Sequence, residues 1–465
     1  MKKQAFNPYL PSYEYIPDGE PHVFGDRVYI FGSHDRFGGR TFSMNDYVTW
    51  SAPVTDLSDW RYEGVIFKKT DDPYNRPVKS LYAPDVCQGL DGRYYLYFGP
   101  STGLTRKTWV IRVAVADAPA GPYKYYGEVD LSRWSKEYLP FDPAVYVENG
   151  RVLLYYGSGM FYPMLDVSKK TVMGGAVVEL EPDMVTVKSG PRLTVPIKGK
   201  DKTGEYGEHP FFEASSVRKF GDKYYFIYSS LLGHELCYAI SDKPDGDWRF
   251  GGTIISIGNI GLNGNTDPVN SENYTGNTHG SIEEINGRYY VFYHRHTNGL
   301  QFARQSCADE VFIEPDGSIK QIEPTSCGLN GGPLRAKGTY EARIACVLKS
   351  PKGCKFYGVF REPYSIHPYF TQTGKDREEK GDQYIKNMRN GAVAGFRYFE
   401  FDGTETKISV KGRGKGSFTV TDGKNTVAAV PVGGSAELKI SAGVHLLFFT
   451  YNGSDAADFI CFTIG

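Results

Sequence analysis

Residues 91–99 read DGRYYLYFG, and the same shape returns four times: GDRVYIFGS at 25–33, NGRVLLYYG at 149–157, GDKYYFIYS at 221–229 and NGRYYVFYH at 286–294. Each opens on a pair drawn from Gly, Asp and Asn, residues that tolerate the positive φ angles of a tight hairpin turn. Each continues into a strand rich in Tyr, Phe and Val. The segments therefore read as the turn and second strand of a β-hairpin. The basic residue behind each turn (Arg27, Arg93, Arg151, Lys223, Arg288) recurs at intervals of roughly 60–70 residues, long enough for a four-stranded unit. A second hairpin follows at 50–67, 113–129 and 238–254, and in weaker form at 175–193 and 302–319. Five units of two hairpins each predict five four-stranded sheets. Such sheets cover their faces and edges by packing radially, which predicts a five-bladed β-propeller over residues 1–325.

Beyond Gly332 the pattern stops. Shorter alternating strands around 339–347, 408–410, 417–421, 436–440 and 445–451, with a Gly-rich turn at 411–416, predict a β-sandwich over 333–465. The stretch between, 326–338, contains the Gly and Pro of a linker. The fold class expected is all-β, in two domains, as a chain of 465 residues favours.

The formal net charge is −1 with both signs interspersed, which is no footprint for nucleic acid. No apolar run approaches the ~18–20 residues that span a bilayer, so no membrane partner is expected. Lys2 and Lys3 begin the chain like a signal peptide, but Pro8, Pro11, Glu14 and Asp18 interrupt any apolar stretch behind them. Seven scattered cysteines without a CxxC pair indicate neither a zinc site nor a disulfide framework, and a cytoplasmic location is expected. Nothing in the pattern specifies an oligomeric state.

Eight to ten residues before each anchoring basic residue stand Asp18, Asp85, Asp142, Glu213 and His279. The first strand of every blade lines the channel of a propeller, so a shared phase predicts these five side chains around one axis. Taken singly, Asp18 before Gly19 and Asp142 before Pro143 suit ordinary turns; the common register argues otherwise. Glu213 lies in Phe211-Phe212-Glu213-Ala214, where desolvation would raise its pKa. Carboxylates gathered in a dry cleft suit glycoside hydrolysis or metal-dependent hydrolysis. A glycosidase needs a proton donor for the leaving oxygen and a second carboxylate across the sugar. Glu213 fits the donor and Asp18 the ionised base.

In these motifs the chain resembles glycoside hydrolase family 43, the propeller family of arabinofuranosidases, β-xylosidases and arabinanases. The resemblance covers residues 7–325 and runs through Asn7-Pro8, Asp18 ahead of His22-Val23-Phe24, Gly32-Ser33-His34-Asp35, Tyr82-Ala83-Pro84-Asp85-Val86, Phe141-Asp142-Pro143-Ala144, Glu213-Ala214-Ser215 and Thr278-His279-Gly280. It implies Asp18 as the general base, Asp142 as the carboxylate that tunes and orients the acid, and Glu213 as the general acid, with inversion. It further implies substrate contacts from Asp85, Tyr82, His34 and Arg304, the alternative for Arg304 being a surface salt bridge. His279 matches a histidine that in many relatives holds a structural calcium ion through water; a hydrogen-bonded channel histidine is the alternative, since one His is a poor calcium site. No cofactor is implied for the chemistry. Glu20 rivals Asp18, because Gly19-Glu20-Pro21 stands where the family places Pro directly, though the ungapped register through 22–35 selects Asp18.

The C-terminal part resembles a family 6 carbohydrate-binding module at 395–399 and 443–449, with aromatics that serve either sugar binding or a plain core. The expectation is an inverting, exo-acting α-L-arabinofuranosidase or β-D-xylosidase working on short plant-derived oligosaccharides. A β-galactosidase or β-galactofuranosidase on the same scaffold, and a catalytically silent carbohydrate-binding propeller, are the alternatives.

Overall fold

The computed structural model describes residues 3–74, 80–101, 110–159, 171–354, 366–379 and 381–465. Five antiparallel sheets follow one another along the chain, over 20–67, 80–129, 144–196, 211–256 and 281–311. Their innermost strands are Glu20–Phe24, Ser80–Gln88, Ala144–Glu148, Phe211–Phe220 and Ser281–Ile285. These five neighbour one another in cyclic order, and a parallel bridge between Gly19 and Gly280 returns the last to the first. The ring is the axis of a five-bladed propeller.

The repeated turns account for the blades locally. Phe24 pairs with Arg27, Glu148 with Arg151, Phe220 with Lys223 and Ile285 with Arg288, so these four turns have two residues, while in the second blade Gln88 pairs with Tyr94 across the five residues 89–93. At Asn149-Gly150 and Asn286-Gly287 both residues have positive φ (51° and 76°, 53° and 77°), the geometry whose twist matches that of the flanking strands. The Tyr-rich strands behind the turns are buried on both faces, because each blade lies between two neighbours. Tyr155 packs with Phe226 of the fourth blade, while the next residue, Tyr156, packs with Tyr97 of the second. Successive strand residues point to opposite faces, so a blade enclosed on both sides reads as an unbroken aromatic run.

The fifth blade departs from expectation. It has three strands rather than four, and residues 312–322 form isolated bridges in place of a fourth strand, Ile313 with Ile319 and Ile322 with Ile255 of the fourth blade. The start of the chain covers the exposed edge instead. Asn7 Nδ2 donates to the carbonyls of Ala308 (2.8 Å) and Thr325 (3.0 Å), its Oδ1 accepts from Ala308 N–H (2.9 Å), and its own N–H donates to Ser326 O (3.0 Å). An open edge strand needs such cover, and here the cover also laces the first blade to the last.

The C-terminal part is two six-stranded sheets face to face. Phe396, Phe418, Phe449, Phe459 and Phe462 meet between them. The strand expected at 436–440 is shorter and lies at Ser435–Glu437. Among the described residues beyond 332 no aromatic ring is fully exposed. This sandwich packs directly on the propeller: Arg397 pairs with Glu272 and Glu323, Tyr274 Oη donates to Pro368 O (2.6 Å), and Asn298 N–H donates to Phe370 O (2.7 Å).

Candidate active site

Asp18 and Asp142 stand just before the innermost strands of blades one and three, with φ of 57° and 47°, in the left-handed region that Asp enters more readily than most residues. Glu213 is delivered by a β-bulge. Pairing passes from Phe211↔Ser230 to Glu213↔Ser229 and then jumps to Ser216↔Ile227, with Ala214 at φ 68°; a bulge of this kind re-aims a side chain out of the regular alternation. It also turns Ala214 N–H toward Asp142 Oδ2, 3.0 Å away.

Asp18 is held as an anion. Arg304 Nη1 donates to its Oδ1 at 2.8 Å, and its backbone N–H donates to His294 Nδ1 at 3.3 Å. His294 Nε2 in turn lies 2.9 Å from Asn277 O, so that ring is the neutral Nε2–H form, and burial together with Arg304 pushes its pKa down to about 3. Burial alone would raise Asp18, but the charges of Arg304 and His279 outweigh it and hold the carboxyl below its ordinary value.

Glu213 has the opposite environment. Burial first, then the neighbouring Asp142 carboxylate, push its pKa well above the carboxylate range. Burial and Asp18 raise Asp142 as well, but Asp142 accepts Ala214 N–H and faces His279 Nδ1 at 3.6 Å. Asp142 is therefore the member of the pair that ionises first, and Glu213 keeps the proton. A protonated carboxyl and an ionised one share the mouth of the axis.

Three residues expected at the substrate have their polar atoms bonded within the protein. Asp85 is fully buried, with Oδ1 taken by His22 Nε2 (2.7 Å) and Val86 N–H (2.8 Å) and Oδ2 by Val145 N–H (2.7 Å); it staples blades one, two and three. His34 has Nδ1 on Asp46 O (2.8 Å) and Nε2 on Glu14 Oε1 (2.9 Å). Arg304, 2% exposed, is no surface salt bridge and no open cation. Asp35 takes its backbone N–H (3.0 Å), Nε (2.9 Å) and Nη2 (3.1 Å), which leaves Nη1 aimed at Asp18. The shared phase placed Asp85 at the axis without specifying its depth or its partners, and His34 and Arg304 came from the family resemblance alone. Tyr82 is half-buried, its ring edge-on to Phe141 at 5.8 Å, beside Asp142.

Sequence reading passed over Asp35, His294 and Arg218. Arg218 lies on the axis beneath the carboxylates, with Nη2 on Glu20 Oε2 (3.0 Å) and Pro21 O (2.7 Å), and Nε on Glu283 Oε2 (3.2 Å). Glu20 and His22, Ser216 and Arg218, and Ser281 and Glu283 are i, i+2 pairs on inner strands, so strand alternation was the signal that could have found this cluster. Glu20, the rival base, has Oε2 occupied by Arg218 and by Ser216 Oγ at 3.0 Å, while its Oε1 faces His279 Nε2 at 3.8 Å.

Calcium takes six to eight oxygen ligands, typically about 2.3–2.6 Å away. His279 faces one oxygen of Glu20 at 3.8 Å and one of Asp142 at 3.6 Å, and Arg218 already brings a positive charge onto Glu20. Glu20, His22 and Asp85 place ligand atoms within 4.8 Å of one another, yet Asp85 has both oxygens bonded. These side chains do not by themselves supply the oxygen ligands of a calcium cage, and an ion at His279 would draw most of its ligands from water. A second cluster, His209, Glu235 and Cys237, is closed by hydrogen bonds to Glu235 from His209 (2.6 Å), Ser230 (2.6 Å) and Thr253 (3.0 Å). Dialysis against EDTA is expected to leave both the melting temperature and turnover in place. A fall in either that added calcium restores would reassign the axis as a metal site.

The family model for Glycosyl hydrolases family 43 matches residues 17–319. The chain is similar to a xylosidase/arabinosidase of Thermoclostridium stercorarium, 46% identical over 486 aligned residues that take in 100% of this chain and 99% of the relative. It is also similar to a xylosidase/arabinosidase of Bacteroides ovatus, at 30% identity, where 68% of this chain matches 97% of the relative. Among solved structures, a family 43 β-xylosidase/α-arabinofuranosidase from a compost microbial metagenome, in complex with xylotriose and calcium-free, superposes with a TM-score of 0.55 at 27% identity, over 70% of this chain and 99% of that one.

Proposed function

The chain belongs to glycosyl hydrolases family 43, and from that membership we propose that it is an inverting, exo-acting glycosidase releasing L-arabinofuranose or D-xylose from short oligosaccharides. The observation that carries the reading is the opposed protonation of two carboxyls at one axis: Asp18 held ionised by Arg304, Glu213 held protonated by burial and Asp142. The sugar class follows the relatives, two of which are named for both activities.

In this mechanism Asp18 takes a proton from water as the oxygen attacks the anomeric carbon, and Glu213 gives its proton to the leaving glycosidic oxygen on the other face. Asp142, ionised beside Glu213, raises the affinity of the acid for its proton and, through Ala214 N–H, keeps the bulge that aims it. His279 balances the charge of Asp142. The bond to the aglycone breaks as the bond to water forms, so one displacement inverts the anomeric centre.

The test is a panel of aryl glycosides followed by proton NMR of the first product. Arylated α-L-arabinofuranoside or β-D-xyloside should be cleaved fastest, with β-xyloside giving α-xylose before mutarotation. Faster cleavage of β-galactosides would move the sugar assignment, a first product of retained configuration would remove the inverting assignment, and no turnover on any glycoside would make the propeller a binding protein.

A further inference from the structure

The sandwich reaches the catalytic end of the propeller through the connection at 373–382, between its strands Tyr369–Gln372 and Gln383–Met388. Arg377 of this connection donates from Nη1 to Glu14 Oε1 at 2.6 Å and lies 3.0 Å from His34 Nε2. Its neighbour Asp376 accepts Phe37 N–H at 2.7 Å and Asn45 Nδ2 at 3.0 Å. His34, Phe37 and Asn45 belong to the 32–46 loop joining the second and third strands of blade one. Phe31, the residue before that loop, pairs with Glu20, so the loop lies at the end of the blade where Asp18 stands. Within the loop, Asp35 carries Arg304, and Arg304 carries Asp18.

We propose that the sandwich is a working part of the catalytic site, with Arg377 a positioning residue that holds the 32–46 loop so that Asp35 can clamp Arg304 onto Asp18. The inference rests on the assignment of Asp18 as the base. A loop of this length without secondary structure needs external ties to keep one shape, and the sandwich supplies three directly from two adjacent residues and a fourth through Glu14, which is bonded to His34. Glu14 shows how much the tie carries. Its carboxylate is buried, and burial would raise its pKa, but His34 and Arg377 with Trp50 Nε1–H (2.8 Å) outweigh that and keep it ionised. Without Arg377 a buried anion loses its nearest permanent cation, and the loop has to shift to reach water. The interior placement of the described sandwich aromatics fits a domain whose role is to hold the loop.

The groups facing Asp18 are Arg304 and His294 from the fifth blade, His279 before it, Tyr47 from the first blade, Asp142 and Glu213 across the axis, with Asp35 behind Arg304. Loosening Arg304 removes the cation that favours the ionised base. The pKa of Asp18 then rises, and the acid limb of kcat/KM moves to higher pH; Arg304 also lowers Glu213, as the smallest of the causes acting there, so the alkaline limb moves the same way by less.

The experiment compares Arg377→Ala, Arg377→Lys and Asp376→Ala in the full chain, by pH profile on an aryl xyloside or arabinofuranoside and by hydrogen exchange. Arg377→Ala should lower kcat/KM on the order of 10–10²-fold, as remote misplacement does, shift the acid limb upward, and speed exchange in peptides of 32–46 but not of 149–157. Arg377→Lys should recover part of each effect, and Asp376→Ala should show the exchange change with a smaller loss. A folded Arg377→Ala with the parent's acid limb and loop exchange overturns the proposal. If the parent cleaves neither glycoside, the functional reading fails instead, and loop exchange still decides whether the tie exists.

Discussion

Glu213→Gln folds at the parent's melting temperature within a few degrees and loses about 10²–10⁴-fold in kcat on glycosides with poor leaving groups, while strongly activated aryl glycosides lose much less. The stability follows from the proton that Glu213 already carries. A protonated carboxyl and a carboxamide have nearly the same shape, and neither brings charge into the buried site. The kinetics follow from the lost donor: an alkoxide of a sugar leaves poorly without a proton, whereas an activated phenolate leaves by itself. The alkaline limb of the parent's kcat profile falls as Glu213 deprotonates, at a pH raised by burial and by Asp142, and Gln does not titrate there. That limb should vanish from the variant. Equal losses on good and poor leaving groups, or an alkaline limb that survives, would take the acid role away from Glu213.

Asp18→Asn is expected to cost turnover by about 10²–10⁴-fold on every substrate alike, because water has to be activated whatever the leaving group. This variant also destabilises. Arg304 is nearly inaccessible to solvent and is shared by Asp35 and Asp18; the substitution replaces the charge-assisted bond that Nη1 makes to Asp18 with a weaker one to a neutral amide, and breaking a buried pair from one side costs up to about 3–5 kcal/mol. Asp35 keeps its three bonds to the guanidinium, so the lower part of that range applies. Leaving-group dependence measured by a series of substituted phenyl xylosides separates the two variants. A steep dependence for Glu213→Gln beside a flat loss for Asp18→Asn fixes acid and base, and the reverse pattern would exchange them.

Local chemistry made much of this protein legible. Two-residue turns such as Asn286-Gly287 and the strands behind them depend on neighbours in the chain, so blade number and strand order could be read directly. The same spacing carried Asp18, Asp142, Glu213 and His279 to one axis. The second hairpin at 302–319, weaker in pattern than three of the others, was read from a turn that is equally local: Asp316 closes it by accepting Ser318 N–H at 2.9 Å. Whether a fourth strand forms there depended on Asn7, some 301 residues away from Ala308.

What the chain did not disclose is of that second kind. Asp85 and Arg304 carry the residue types of a sugar-binding site, and the partners that take their hydrogen bonds, His22 and Val145 in one case and Asp35 and Asp18 in the other, come from other blades. Arg304 lies 286 residues from Asp18, and Arg377 lies 363 from Glu14. Strand period and turn type specify which face of a blade a side chain occupies. The depth of that side chain along the axis, the partner that takes its charge and the protonation it keeps follow from desolvation and from charges brought close only when the ring closes and the sandwich docks.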